Sequence, residues 1–161
     1  MIQDREYAGF WRRFGALIID MLLMIPVIYL PLILIYGKDY WLGDTMILGF
    51  WDVLLSYILP FVGTIWFWRR YLGTPGKMAT KLEIVDAQTG NSMSTGQAVG
   101  RYFAYIISII PFGAGFLWVG IDKRKQGWHD KLAGTVVLHK TSKESVQFEQ
   151  NDAVRNDVVI K

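Results

Sequence analysis

Three long apolar runs constrain this chain more than any other feature of its sequence. They cover residues 14–35, 46–68 and 102–121; the first two each contain one charged residue, and the third contains none. Because a helix rises about 1.5 Å per residue, each run is long enough to cross a hydrocarbon core about 30 Å thick. With 52% hydrophobic and 19% charged residues, the composition also favours an all-α membrane protein over a soluble domain.

Basic residues beside the runs predict the orientation, because Lys and Arg are retained on the cytoplasmic side. Arg12 and Arg13 precede the first run, and five basic residues lie between positions 69 and 101. The connection at 36–45 carries Lys38 against Asp39 and Asp44 and fits the outside. The first run is too long for a secretory signal and lacks a cleavage site, so we expect a retained helix and a cytoplasmic N-terminus.

The third run conflicts with this orientation. A full crossing would export a tail that begins with the basic stretch at 123–125. One solution is a broken, re-entrant hairpin, because Pro111 and Gly113 interrupt the middle of the run. The other is a kinked full crossing with an external C-terminus.

Two short segments predict a small β element. Residues 81–86 alternate in polarity before a polar turn, and residues 135–139 form a second strand-like run. Pairing of the two requires both on the same side of the membrane, which favours the hairpin. We therefore expect one membrane domain over 1–140 and a polar, flexible tail over 141–161.

Three motifs carry a family resemblance. They are Tyr-Ala-Gly-Phe-Trp-Arg-Arg-Phe-Gly-Ala-Leu-Ile-Ile-Asp at 7–20, Gly-Thr-Pro-Gly-Lys at 73–77 and Gln-Gly-Trp-His-Asp-Lys-Leu-Ala-Gly-Thr at 126–135. Together they resemble the RDD family of small bacterial membrane proteins, named for one arginine and two aspartates. The resemblance implies Arg13, Asp20 and Asp130 as these residues, with Asp122 as an alternative for the third. It also implies a bacterial inner-membrane location and transport of small solutes, with cation/proton antiport attributed to one member.

Asp20 is the candidate that physical chemistry singles out. It lies about 9 Å inside the first run, where a carboxylate costs about 2.5–3.5 kcal/mol. Arg13 lies on the same helical face but about 10 Å away along the axis. We therefore expect Asp20 to have a proton or a partner on another element.

Further candidate residues are less distinctive. Asp52 lies about 9 Å below the outer face and is interpreted either as a second station for a cation or as a solvated interfacial residue. His129 and Asp130 predict either a pH-sensing pair or a helix cap by Asp130. Arg101 is a further candidate, and Gly-Thr-Pro-Gly-Lys at 73–77 is interpreted as an interfacial turn that starts a short helix.

These residues support two main hypotheses. The first is cation/proton exchange or other small-solute transport by a homo-oligomer, with Asp20 titrating and Arg13 and Asp130 gating it or pairing with it. The second is an accessory protein that binds another membrane protein. A weaker third hypothesis is a lipid or quinone binder, suggested by tryptophans such as Trp68 near the predicted interfaces. An aromatic belt explains these tryptophans more simply.

Other chemistry has little support in the sequence. There is no cysteine, and His129 and His139 lack metal-ligand spacing and an evident nucleophile. We expect no enzyme, no cofactor or metal beyond a transported proton or monovalent cation, and no nucleic-acid partner. The basic clusters are explained by membrane topology and anionic lipid in the surrounding bilayer.

Overall fold

Two long helices and a small helical and β layer make up the structure, a computed structural model that describes residues 6–43 and 45–140. The tail predicted to be flexible, at 141–161, lies outside the described residues, as does Asp44. The structure is mostly helical, with two helices long and apolar enough to cross a membrane. The predicted helical class with a small β element is therefore confirmed.

Helix α1, Phe10–Tyr36, is the first of these long helices. It begins before the predicted run because the helix continues past the apolar residues through Arg12 and Arg13. Pro26 and Pro31 lie within it without ending it. Gly37 ends the helix in a left-handed conformation with φ 59°, and its N–H donates to Ile33 O at 2.8 Å. A single turn, α2 (Asp39–Leu42), follows.

The second long helix runs from residue 50 to residue 71. It consists of α3 (Phe50–Val53), a π-helical segment (Leu54–Ile58) and α4 (Leu59–Tyr71). The start predicted at residue 46 is wrong, because residues 46–49 are not helical and Gly49 has a φ of 145°. Only glycine adopts that φ readily, so the helix begins directly after it.

A short helix and two strands follow the second span. Helix α5 is Pro75–Ala79, which confirms the short helix predicted after the Gly-Thr-Pro turn. Strand β1 (Leu82–Asp86) and strand β2 (Thr135–His139) pair antiparallel with Ile84 opposite Val137, so the predicted pairing is also confirmed.

The N-terminal segment extends this sheet. The Ala8 N–H donates to Val137 O and the His139 N–H donates to Glu6 O, both at 2.9 Å. Sequence reasoning did not predict this contact because the segment is too short to show alternation. The contact ties the start of α1 to the last described strand.

The third apolar run is broken at the predicted motif. Helix α6 (Thr95–Ile109) and helix α7 (Ala114–Leu117), which ends in a 3₁₀ turn, meet at 110°. Gly113 turns the chain with a φ of 76°. The start predicted at residue 102 is wrong, because Ser94 and Gln97 form a capping box that begins α6 two turns earlier.

Helix α8, Trp128–Leu132, completes the layer that joins the sheet to the helices. The core lies where the sheet meets the adjacent ends of α1, α4 and α6. Its buried members are Ala8, Ala16, Trp68, Leu82, Ile84, Met93, Ala98 and Val137. Most of the apolar surface of both long helices is exposed, as expected of helices that face lipid.

Helix α5 packs directly against the backbone of α1 at Gly76. A Cβ at position 76 would lie 2.0 Å from the Ala16 carbonyl oxygen and 2.8 Å from the Asp20 carboxyl carbon. Only glycine permits this approach, so the Gly-Thr-Pro-Gly turn is fixed against the first span.

We expect Gly76→Ala to lower the free energy of unfolding by about 1–3 kcal/mol, because backbone must move to admit the methyl group. Urea or SDS unfolding in detergent micelles measures this. Gly63→Ala is the matched control, since nothing lies within 4 Å of a Cβ there. Equal effects of the two substitutions would contradict the close packing of α5.

Candidate functional site

A fully buried carboxylate, Asp130, joins three separate elements. Arg13 of α1 donates from Nη1 to Asp130 Oδ2 at 2.5 Å, and Arg101 Nη2 of α6 lies 2.5 Å from Oδ1. Arg101 is 1% exposed and Arg13 is 11% exposed. One negative charge therefore lies between two guanidinium groups from helices that are far apart in sequence.

Local structure at α8 positions Asp130. It is the third residue of the helix, and the Gly127 N–H donates to its Oδ2 at 2.9 Å. This arrangement confirms the predicted capping role and satisfies a backbone N–H that the helix itself leaves free. The cap fixes the carboxylate orientation that the arginines require.

Each arginine has further contacts that fix its side chain. Arg13 donates from Nε to Ala8 O at 2.9 Å and from Nη2 to Lys125 O. Arg101 donates to the Thr135 hydroxyl, and its guanidinium lies 5.5 Å from the centre of the Trp68 ring. Trp68 is 1% exposed, so the assignment of this tryptophan to an interfacial belt is wrong.

Burial and charge act in opposite directions on the pKa of Asp130. Burial alone would raise it, but Arg101 and Arg13, helped by His129 and the Gly127 N–H, outweigh burial and hold the pKa well below its ordinary value. Asp130 is therefore ionised at any physiological pH. It acts as a fixed charge rather than as a group that exchanges protons.

His129 lies beside this cluster but does not titrate near neutrality. Burial lowers its pKa from 6.5 to about 3; the attraction of Asp130 opposes this shift, and Arg101 and Arg13 add to it. The pH-sensing hypothesis is therefore wrong, because it required a pKa near 6.5.

The imidazole of His129 instead packs α8 against α6. Its Nδ1 lies 3.2 Å from Ser108 Oγ, and its backbone N–H donates to the same oxygen at 3.2 Å. The order of side chains is that of a catalytic triad, with a hydroxyl (Ser108), an imidazole (His129) and a carboxylate (Asp130). Ser108 is fully buried, however, and a Cβ at Gly115 would lie 2.6 Å from its Cα, so the hydroxyl is a packing contact.

Asp20 has a different environment. The Thr74 hydroxyl donates to its Oδ2 at 2.5 Å and the Gly76 N–H to its Oδ1 at 2.7 Å. Lys77 Nζ lies 3.5 Å from the Thr74 oxygen. Among the residues that the structure describes, no basic side chain lies within ion-pair distance of Asp20.

The partners of Arg13 and Asp20 lie on other elements, as the helical spacing predicted. The expected pairing of Arg13 or Asp130 with Asp20 is wrong, because Arg13 and Asp130 pair with each other. The face of α1 that carries both Arg13 and Asp20 thus contacts two different elements. Arg13 contacts α8, and Asp20 contacts the start of α5. Sequence reasoning missed Thr74 and Gly76 as partners, although their motif was recognised.

Asp52 belongs to a separate polar contact at the start of the second span. It is 6% exposed and accepts from Ser56 Oγ at 2.8 Å and from the Leu48 N–H at 3.2 Å. The solvated interpretation of this residue is therefore wrong. Ser56 lies within the π-helical segment, a geometry frequent at functional sites.

Asp122 lies in the loop before α8 and pairs with Lys131 at 2.5 Å. It also accepts from the backbone N–H groups of Arg124 and Gln126 at 3.0 and 3.1 Å. Asp122 thus shapes the loop, and Asp130 is the acid that meets Arg13. No cluster of three His, Asp or Glu side chains able to hold a metal occurs within residues 6–43 and 45–140.

A comparison with protein families matches residues 7–134 to the model of the RDD family. The chain belongs to the RDD family. The matched region begins at the segment that pairs with β2 and ends two residues after α8, so it includes Asp130, its two arginines and the two hydrogen-bond donors to Asp20.

Two curated relatives are similar to this RDD chain over most of their length, and the name of one describes it as a membrane protein. "Uncharacterized protein YxaI" of Bacillus subtilis is 32% identical over 151 residues, covering 83% of this chain and 97% of that protein. "Uncharacterized membrane protein YteJ" of the same organism is 27% identical over 143 residues, covering 83% and 82%. No solved structure matches the chain. The family and its apolar helices identify a membrane protein.

We expect Arg13→Gln to lower the free energy of unfolding by about 3 kcal/mol, because it leaves a buried carboxylate with one guanidinium fewer. The neighbouring Arg12 is exposed, so Arg12→Gln is a matched control that should change stability by less than about 0.5 kcal/mol. Unfolding in detergent measures both. Equal stability of the two variants would contradict a structural role for the Arg13–Asp130 pair.

We expect His129 to make the protein less stable in mild acid. Because the folded-state pKa is depressed from 6.5 to about 3, the unfolded chain binds more protons between these pH values. Stability should therefore be complete above pH 6.5 and fall below it, by at most about 1.4 kcal/mol per pH unit. Unfolding between pH 7 and 5 measures this, and His129→Gln should flatten the slope. His139→Gln is the control, and an unchanged slope in His129→Gln would refute the assignment.

Proposed function

We propose that this RDD protein exchanges protons for monovalent cations across the bacterial inner membrane, with Asp20 as the titrating carboxylate. One observation carries the proposal. Asp20 lies in an apolar membrane helix and is hydrogen-bonded by a hydroxyl and a backbone N–H rather than by a guanidinium. A membrane carboxylate that forms no direct ion pair favours a proton or a cation as its partner.

The contrast with Asp130 supports this choice. Asp130 is already paired with Arg13 and Arg101, so the positive charge of both arginines opposes the binding of a proton or a cation there. Arg13 and Asp130 act as positioning residues that hold α1 against α8. In this proposal they take a positioning role in place of the gating role in the sequence-based hypothesis.

The surroundings of Asp20 also suit reversible binding. The Thr74 hydroxyl has lone pairs as well as a donor hydrogen, so it can turn toward a cation bound at the carboxylate. Lys77 Nζ, 3.5 Å from the Thr74 oxygen, is positively charged and would weaken such binding enough for release. This step needs no covalent chemistry, and we propose no enzymatic activity.

Transport would require more than one copy of the chain. Two spans and a broken segment enclose little space by themselves, and the apolar faces of both long helices are exposed. We propose a homo-oligomer with cytoplasmic N-termini, in which neighbouring copies together enclose the path that leads to Asp20.

The test is a flux assay in liposomes that carry the purified protein. An imposed pH gradient should dissipate on addition of sodium, lithium or potassium, and Asp20→Asn should reduce this by at least tenfold. Asp39→Asn, an exposed acid outside the spans, is the matched control and should retain wild-type flux. Equal flux in Asp20→Asn and Asp39→Asn would mean that Asp20 takes no part in transport.

A second candidate is an accessory protein that binds another membrane protein. The observation that favours it is that Asp20 caps the start of α5 through the Gly76 N–H, a structural use of the carboxylate. In this case wild-type protein of verified fold would show no cation-dependent flux. Asp20→Asn would then lower the unfolding free energy only.

A further inference from the structure

We propose that the segment from α6 through α7, residues 95–120, enters only the leaflet on the sheet side and returns to that side. The acyl chains of that leaflet would cover its exposed apolar face. This inference does not depend on transport. It concerns the surface that the third segment presents and the lipid that contacts it.

Both ends of the segment are fixed to one small sheet. Strand β1 precedes α6 and strand β2 follows α8, and the two strands pair over five residue positions. A polar turn at 86–91 and the edges of this sheet would be costly in hydrocarbon. The two ends of the segment therefore emerge on the same side of the membrane.

Helix α8 follows the hairpin and contacts α6 along much of its length. Asp130 meets Arg101, the seventh of the fifteen residues of α6, and His129 meets Ser108 one residue before its end. Helix α8 has five residues and is only about 7.5 Å long. Because so short a helix contacts α6 at both Arg101 and Ser108, the C-terminal end of α6 stays close to the layer formed by the sheet and α8. We infer that this layer lies outside the hydrocarbon, so α6 does not cross the membrane upright.

The face of α6 away from this layer is apolar and exposed. Its buried face carries Ala98, Arg101, Ala104 and Ser108. The exposed apolar residues of the hairpin include Phe103, Ile106, Ile107, Ile109, Ile110, Phe112 and Leu117. An apolar patch of this kind is unusual on a surface that faces water.

Continuity with the second span identifies lipid as the occupant. The ring of Phe103 lies 5.9 Å from that of Phe61 in α4, so the exposed face of α6 joins the lipid-facing surface of the span. At the other edge of the hairpin, Trp118 and Trp128 lie 6.2 Å apart beside the basic stretch at 123–125. Tryptophan and basic residues at that edge fit the headgroup level.

The backbone at the tip meets the requirement for burial in lipid. The Gly113 N–H donates to Ile109 O and the Ala114 N–H donates to Pro111 O, both at 3.0 Å, and Pro111 has no N–H to satisfy. Phe112, at the apex, is fully exposed and apolar. The turn can therefore enter hydrocarbon without leaving these amides unpaired.

The absence of cysteine from the sequence makes a labelling test direct. Single cysteines are introduced at three exposed positions, as Gln88→Cys before the segment, Lys123→Cys after it and Asp39→Cys in the loop between the spans. The full chain in oriented membrane vesicles is treated with a membrane-impermeant maleimide. We expect residues 88 and 123 to react from the same side and residue 39 from the opposite side. Reaction of 88 and 123 from opposite sides would overturn the proposal.

A nitroxide at the apex tests insertion into one leaflet. In Phe112→Cys labelled with a spin label, we expect collisions with oxygen to exceed those with a water-soluble nickel chelate. The depth should be shallower than at Val62→Cys, an exposed position near the middle of the second span. Ile110→Cys provides a second reporter if residue 112 perturbs folding. Nickel accessibility as high as at residue 88, or a depth equal to that of residue 62, would refute insertion into one leaflet.

Discussion

The ion cluster at Asp130 is the interaction on which the rest of the structure depends. It brings together the start of the first span, the second turn of α6 and the short helix before the last strand. Each element has an apolar face for lipid, so hydrophobic burial does little to choose their arrangement. A buried carboxylate that needs two guanidinium groups has far fewer acceptable arrangements. Removing Asp130 would leave two guanidinium groups without their counter-ion, which is the costly case for a buried pair.

Two aspartates in the same family pattern thus have opposite physical roles. Asp130 is buried, ionised and matched by fixed positive charge. Asp20 is held by neutral donors from a turn that approaches closely only because Gly76 has no side chain. The first arrangement pairs the carboxylate with opposite charge, and the second holds the carboxylate by hydrogen bonds alone.

Much of the fold follows from the sequence because apolar length and strand alternation are local properties. The two spans, the break near Pro111 and the pairing of β1 with β2 are of this kind. The start of α6 was missed because its first two turns are polar, although Ser94 and Gln97 were a recognisable capping box. Thr74 and Ser108 were missed as site partners because their roles depend on tertiary contacts. The same limit explains Asp52, because its burial depends on how the neighbouring side chains pack around it.

The pairing of Arg13 with Asp130 joins residues 117 positions apart, and this separation has a consequence for biogenesis. The ribosome delivers the first span to the membrane long before residue 130 is synthesised. During that interval Arg13 has no Asp130 to pair with, and the strand that contacts Glu6 and Ala8 does not yet exist. The cluster therefore closes last, so completion of the chain, rather than insertion of its helices, marks the moment at which the native arrangement becomes locked.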